Sequence, residues 1–412
     1  MSIQAYYFLG YLGLAQTTMF HEARRAQARS VRQRLVAHIA TGGSTDLAPT
    51  VLRLPARCYT DPTRWAAERQ ALFEELPVIA CLAQEIPRPG DRTVFEVAGH
   101  SVLILRDDDG QVRAFRNRCA HRSAQLMRLG DDSGVRRGRR IVCPFHGWSY
   151  DLYGRLANVP GRAAFDPKTL ENCRLSPVAA AEKYGVVFVR LRGDEPLDLP
   201  GHLRGFASVL ATLELAAMAP VQTSRLDAQT NWKIAIDTYA ESYHFGVLHA
   251  RSIGDAYISD VAAFDDYGAH WVLTFAERAL ADLVSMPEQK WPEARHAGTY
   301  FIFPNTVLVA GDIGPTERFV RMFRIFPGET PGEMVCLFSV HIAGLSVECY
   351  QAKFGTIDDS KSDVTLEDYD VAEGIWSNLA VEGEKTDLIV GRNEPAVQAF
   401  HRAVLDVVGL PI

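Results

Sequence analysis

Cys119-Ala120-His121-Arg122 and Cys143-Pro144-Phe145-His146-Gly147-Trp148 are the stretches that decide the fold. Each offers one thiolate and one imidazole. Two such loops suit a [2Fe–2S] cluster with two thiolates on one iron and two imidazoles on the other. Neutral imidazoles make the cluster less negative and raise its potential. Zinc is the competing occupant of a Cys2His2 set, and the Pro-Phe-His-Gly-Trp context of the second loop favours the cluster. Both loops sit at the ends of strand-like segments. Thr93–Val97, Ser101–Leu105 and Val112–Phe115 alternate or run apolar, with Gly99 and Asp109-Gly110 as turns, and Val186–Leu191 closes this β-rich section.

A second signature lies further along: Asn231-Trp232-Lys233, then Asp237, Glu241, Tyr243, His244 and His249. Two histidines and one carboxylate on one face suit a mononuclear iron(II) that keeps positions open for oxygen. His244 and His249 are slightly more than one helical turn apart. The helical spacing of 231–250 therefore needs a distortion or a helix end to bring both to one metal. The third ligand must come from elsewhere, and an acidic stretch, Glu367-Asp368-Tyr369-Asp370, offers candidates. A helix N-terminal cap is the bland reading of either aspartate.

The remaining chain frames these two sites. Residues 19–40 read as a basic helix carrying Arg24, Arg25, Arg29, Arg32 and Arg34, and Thr41–Thr45 reads as a linker. Met19 leaves the true start open, and residues 1–18 carry no functional reading. Residues 61–75 read as a helix entered through Asp61-Pro62. Later strands are expected at 299–303, 306–309, 318–323 and 334–340, and helices at 367–380 and 394–408. The domain boundaries read as 1–45 N-terminal segment, 46–75 helical lead-in, 76–197 cluster domain and 198–412 catalytic domain.

Composition excludes several classes. The chain has 412 residues and a formal net charge of −7, which argues against a general nucleic-acid binder. No apolar run is long enough to span a membrane, and the apolar start lacks the basic region of a signal peptide. The seven cysteines are odd in number and irregularly spaced, so a disulfide framework is not expected and a reducing cytoplasm is. No Gly-x-Gly-x-x-Gly follows a strand, so electrons from NAD(P)H must arrive through a separate protein.

Taken together, the first pair of loops, extended through Ser149-Tyr150-Asp151-Leu152-Tyr153-Gly154, resembles the Rieske motif of the ring-hydroxylating oxygenases, and the second signature resembles the catalytic-iron motif of their alpha subunits. One departure is Ser123, where that family usually carries glycine. The resemblance implies an α+β chain: a β-rich Rieske [2Fe–2S] domain on Cys119, His121, Cys143 and His146, and a helix-grip-like catalytic domain with an antiparallel sheet. It assigns the mononuclear iron(II) to His244, His249 and Asp368, with Asp370 as the fallback. It gives Glu241 the role of joining His244 to His146 across a subunit boundary, in a head-to-tail homotrimer or an α3β3 assembly. A helix-surface glutamate is the plain alternative.

The implied activity is that of a terminal oxygenase. It would use O2 and electrons from a ferredoxin or reductase to hydroxylate, by expectation cis-dihydroxylate, an aromatic or other apolar small molecule. Monooxygenation, oxidative demethylation, or electron transfer with a vestigial iron site are the alternatives. Tyr239, Tyr243, Phe245, Val247 and Leu248 are expected to shape the pocket, with Phe301, Phe303 and Val307 as its far wall. Arg136-Arg137-Gly138-Arg139-Arg140 reads as a solvated turn or as a docking patch for an acidic electron carrier.

Overall fold

The computed structural model describes residues 3–42, 45–97, 99–128, 136–354, 363–382 and 386–410. A long helix, α1 (Ile3–Ala40), opens the chain; it extends the helix expected at 19–40 in the N-terminal direction. Its later turns lie on the catalytic domain. Val31 and Leu35 are buried against Val261, Ala263 and Ala276, and Arg34 pairs with Asp265 at 2.8 Å. The helix expected over 61–75 is present as an α-helix, Pro62–Glu68, that widens into a π-helix over Arg69–Glu74. Asp61 caps it, its carboxylate accepting from the Thr63 N–H at 2.8 Å.

The first sheet contains β1 (Val78–Leu82), β2 (Asp91–Val97), β3 (His100–Arg106), β4 (Val112–Arg116), β5 (Pro177–Lys183) and β6 (Val186–Arg190), in the order β1-β6-β5-β4-β3-β2, with Arg136–Arg137 added at the β2 edge. The chain leaves this sheet after β4 and builds a small three-stranded sheet from Ile141–Val142, Ser149–Tyr150 and Leu156–Asn158 before returning. Both ligand loops belong to that excursion.

The second sheet holds β7 (Ala219–Ala228), β8 (Tyr257–Tyr267), β9 (His270–Glu277), β10 (Ala297–Ile302), β11 (Thr306–Asp312), β12 (Arg318–Pro327) and β13 (Met334–Ala343). Its order is β7-β13-β12-β11-β10-β9-β8, and every pairing is antiparallel. Three helices cover one face: α2 (Trp232–Asp237), α3 (Asp363–Glu382) and α4 (Pro395–Val408). Trp232, Phe301 and Phe400 interlock there, with ring centroids 5.4–5.7 Å apart where they meet Phe400. The fold is the expected α+β pair of units.

A single buried core joins the two sheets. Val102, Ile104, Val187 and Val189 of the first pack in the same cluster as Ile325, Phe326, Cys336 and Phe338 of the second. Residues 199–217 form short helices that fill the other side of that junction, with Phe206 and Leu210 against Phe188, Tyr300 and Met322. Among the described residues no helix is long and apolar enough to cross a membrane. None of the seven cysteines is in a disulfide.

Candidate functional site: two metal centres

The two ligand loops are built alike. In the first, the Ser123 N–H donates to the Cys119 carbonyl at 3.0 Å; in the second, the Gly147 N–H donates to the Cys143 carbonyl at 3.1 Å. Each loop thus closes on the residue four beyond its cysteine, and that residue must turn into the left-handed region: φ is +57° at Ser123 and +69° at Gly147. The glycine-to-serine departure therefore falls on a strained turn, not on an indifferent surface position.

Cys119 and Cys143 are buried, while His146 is exposed and His121 half-buried. The two imidazole centroids are 4.8 Å apart, and His121 stacks on Trp148 at 4.6 Å with only 5° between planes. Tyr150 reaches in from below. Its hydroxyl accepts from the Ala120 N–H at 3.0 Å and lies 3.1 Å from Cys119 Sγ, so its proton is directed at sulfur. Burial, first, and then the bond to Cys119 push the Tyr150 hydroxyl well above its usual range. Nδ1 of His121 is buried with no hydrogen-bond partner. A buried imidazole nitrogen is normally paired, so this atom has the bareness of a ligand atom. With two buried thiols in the same pair of loops, the set fits a cluster.

The second centre hangs from the end of α2. Asn231 caps the helix, its Oδ1 accepting from Lys233 N–H at 3.0 Å. Lys233 is buried in an ion pair with Glu68, which also accepts from Trp232 Nε1 at 3.2 Å. Asp237 holds the other end, accepting from the Tyr59 hydroxyl at 2.9 Å and lying 2.9 Å from His401 Nε2. Asp237 is thus an anchor and does not face the metal cluster of side chains. The helix stops at Asp237, and residues 238–256 run in turns. The helical spacing expected across 231–250 fails for this reason. Irregular chain is what swings His244 and His249 onto one point, with Nε2 atoms 3.1 Å apart.

Asp368 on α3 completes the group. Its Oδ1 lies 3.1 Å from His249 Nε2 and 3.5 Å from His244 Nε2, yet makes no hydrogen bond. One ligand atom from each of the three residues lies within 4.8 Å of the others. Asp370, two residues on, is exposed on the far side of the helix. Each imidazole has its Nδ1 committed to a carboxylate. His244 Nδ1 meets Glu241 Oε1, and His249 Nδ1 meets Glu367 Oε2 at 2.7 Å. Glu367 also accepts from Ser252 Oγ at 2.7 Å. Burial pulls both imidazoles down, but at His244 the adjacent Asp368 and Glu241 carboxylates outweigh it and push the group up to about 9. Asp368 and Glu367 also raise His249. Three basic atoms converging on an enclosed point, their other nitrogens already held by acids, fit a divalent cation.

A cavity of about 450 Å³ opens beside His249 and Asp368. Tyr239 and Phe245 line it as expected, with Tyr257, Phe275, Phe319 and Phe323. The other expected residues do not. Tyr243 and Val247 are 62% and 86% exposed and point to the surface, because the turns after α2 present alternate sides to solvent. Leu248 is half-buried outside the cavity. Phe301 and Val307 sit on the correct sheet face but further along it, where α2 and α4 already cover them. Phe303 lines a different cleft. Sequence reasoning missed Arg321, which lines the cavity from β12 with its guanidinium 5.6 Å from the Phe319 ring. It also missed Glu367 as the partner of His249. The latter was legible, since Glu367 adjoins the predicted ligand on an acidic helix.

The architecture and the paired centres define a chain that joins a cluster domain to a mononuclear-metal domain. Comparison with known proteins bears this out. The Rieske [2Fe-2S] domain model matches residues 77–176, and the model for the ring hydroxylating alpha subunit (catalytic domain) matches residues 215–410. The chain belongs to the Rieske oxygenase alpha subunits.

Among curated relatives, the glycine betaine monooxygenase oxygenase subunit of Chromohalobacter salexigens is 28% identical over 58% of this chain and 51% of its own length. The carnitine monooxygenase oxygenase subunit of Escherichia coli K12 is 27% identical over 66% of this chain and 71% of its own. The alignment thus spans about half of the first relative. In fold, the quaternary ammonium Rieske monooxygenase CntA with L-carnitine matches with a TM-score of 0.69, 20% identity and coverage of 88% of this chain and 96% of that one. Naphthalene 1,2-dioxygenase from Rhodococcus sp. with indole gives a TM-score of 0.70, 16% identity and coverage of 92% and 98%.

Proposed function

We propose that the chain is the terminal oxygenase of a multicomponent system, inserting oxygen from O2 into a small molecule held in the aromatic-lined cavity. The observation that carries this reading is the convergence of His244, His249 and Asp368 on one point at the wall of that cavity. Iron bound by these three would supply O2 activation, and the cluster would supply electrons singly. The chain's own groups do the rest. Glu241 and Glu367 hold the Nδ1 protons and so keep each Nε2 lone pair aimed at the metal position. Phe245 packs between His249 and Phe275 in tilted and edge-on contacts, at 5.6 and 4.9 Å, and keeps that side dry.

Of the two reaction outcomes, monooxygenation is favoured. A ring of tyrosine and phenylalanine faces suits an alkylammonium carbon as well as an arene, and Arg321 gives the same cavity a cationic end. The carnitine and glycine betaine enzymes among the relatives support that choice. Arene dihydroxylation is the second reading, supported by the chlorobenzene dioxygenase alpha subunit of Cupriavidus sp., 30% identical over 47% of this chain.

Electrons arrive from a separate ferredoxin or reductase, and the protein works as a head-to-tail trimer. Exposed apolar groups stand at both places such an assembly would bring together. Val142 and Phe145 flank His146, and Tyr243 and Val247 flank the Glu241–His244 pair. The five-residue arginine turn is a weaker candidate for carrier docking, because Arg137 and Arg139 are engaged with Asp91 and Asp108.

The test is coupled O2 uptake by the iron-loaded chain with a surrogate reductase and NADH. The panel is L-carnitine, glycine betaine, indole and naphthalene, run under 18O2. One labelled oxygen in the product supports monooxygenation and two support dihydroxylation. A chain whose cluster is reduced but whose O2 uptake responds to no compound, or is indifferent to His244→Ala, is an electron carrier instead.

A further inference from the structure

The catalytic sheet has a hole in it. β9 and β10 are paired only from Trp271↔Phe301 to Leu273↔Thr299. Beyond that, β9 continues to Glu277 and stays with β8 through the pair Tyr257↔Glu277. β10 meanwhile starts at Ala297, held to β11 through Ala297↔Gly311. The two strands therefore part company, each kept by its outer neighbour. One side-chain bond crosses the gap, from Thr274 Oγ1 to the Ala297 carbonyl at 3.5 Å.

Cavities lie on both sides of this gap. Inside is the catalytic cavity. Outside is a second one of about 340 Å³, between α1 and residues 279–297. Thr274, Phe275, Glu277 and Ala297 line both. Neighbouring strand residues point to opposite faces. In an intact sheet, Phe275 would border only the inner cavity and Thr274 only the outer one. Each borders both, which is what an opening through the sheet produces.

The outer cavity is roofed by α1. Val31 and Leu35 face Leu280 and Leu283 across it. The helix is tied to the far bank by Arg25 to Glu293 at 3.1 Å, by Arg32 to the Pro292 carbonyl, and by Gln33 to Glu288. The Arg32 guanidinium also lies 5.3 Å over the Trp291 ring. The result is a half-open, mainly apolar chamber with charged groups at its rim.

We propose that the gap between β9 and β10 is the passage through which substrate reaches the catalytic cavity, that the chamber under α1 is its first station, and that Thr274 and Ala297 at the neck set the width of compound admitted. The passage admits narrow molecules. The proposal relies on the oxygenase reading only for the identity of the traveller.

The test places a thiol in the neck. Ala297 is small and exposed, so Ala297→Cys adds one sulfur without disturbing the core. The full iron-loaded chain is treated with methyl and then benzyl methanethiosulfonate. Wild type treated identically controls for Cys349, the exposed native cysteine. Two rates are followed: kcat/KM for the best compound of the panel, and the rate at which 1,10-phenanthroline removes the mononuclear iron, with the cluster monitored by its visible absorption. The benzyl adduct is expected to lower both at least tenfold and the methyl adduct less, and cleavage of the mixed disulfide restores both. Full labelling with both rates within twofold of labelled wild type overturns the passage, and so does an Ala297→Cys chain whose introduced thiol does not react. Slowed iron removal in a chain that turns over no compound leaves the passage standing and removes the oxygenase reading; coupled turnover with unslowed rates does the reverse.

Discussion

Removing the carboxylate of Glu367 tests the logic of the iron site without touching a proposed ligand. Glu367 accepts from His249 Nδ1 and from Ser252 Oγ, each at 2.7 Å. Those two bonds hold its carboxyl below the usual range, so it is ionised at neutral pH. The anion orients the ring and makes Nε2 a stronger donor to a cation. Loss of such a partner typically weakens metal binding about 10- to 100-fold, which is roughly 1.4–2.7 kcal/mol. Glu367→Ala is expected in that range. Glu367→Gln keeps an acceptor for the Nδ1 proton but loses the charge, and a neutral bond is about half as strong as a charge-assisted one. Its loss should fall below about tenfold. The assay is competitive iron(II) titration of the apo catalytic site against a chelator of known affinity, with the cluster spectrum as an internal standard. Equal affinities for wild type, Gln and Ala would refute the claim that Glu367 sets the ring. An equal loss for Gln and Ala would show that charge alone matters.

Further outcomes follow from the same geometry. Ser123→Gly relieves the left-handed turn of the first loop. Set against glycine's greater unfolded freedom, a gain of roughly 0.5–1 kcal/mol is expected, read as a higher melting temperature of the cluster-loaded protein. Tyr150→Phe removes the hydroxyl proton aimed at Cys119, and a hydrogen bond to sulfur favours the reduced, more negative cluster. The reduction potential should fall by on the order of 50 mV, measured by spectroelectrochemistry. Asp368→Asn should abolish mononuclear iron binding while Asp370→Asn leaves it intact; the reverse would move the third ligand.

Stability should also depend on three buried histidines. Burial, before any neighbour, holds His202 and His341 down to about 3 and His296 to about 4. They fold neutral, whereas in the unfolded chain they titrate at about 6.5. The unfolded state binds more protons below that value, so this contribution is full above pH 6.5 and is lost as pH falls towards 4. Between pH 8 and 5 each costs about 2 kcal/mol. Denaturant midpoints should drop across that window, and His341→Gln should flatten the drop.

The parts of this molecule that were legible are those whose chemistry is local. The four cluster ligands could be read because each loop carries its own pair within a few residues. His244 and His249 could be read as a pair, and Asp368 only through resemblance, since α3 reaches the site across the sheet. The strands β7, β8 and β9 went unread. β7 is studded with Gln222, Ser224 and Arg225, and β8 with Asp260, Asp265 and Asp266, so their hydrophobic alternation is weak and sheet pairing decides them. The pocket was only partly legible for the same reason. Periodicity gave the face on which Phe301 and Val307 lie, but the position along the strand at which helices stop and the cavity begins is set by tertiary packing. The neck at Thr274 and Ala297 has no sequence signal, because a missing ladder between two good strands leaves no mark on either.

The core shared by the two sheets has a practical corollary for anyone recombining such proteins. Val102, Ile104, Val187 and Val189 lean on Ile325, Phe326, Cys336 and Phe338 in one apolar cluster. A cluster unit cut out for grafting onto a foreign catalytic body would carry a raw, greasy face that its new host was never shaped to receive. Chimeras that keep this junction native and exchange only the loops beyond it start from intact packing; those that cut through it begin with a solubility problem before any chemistry is tested.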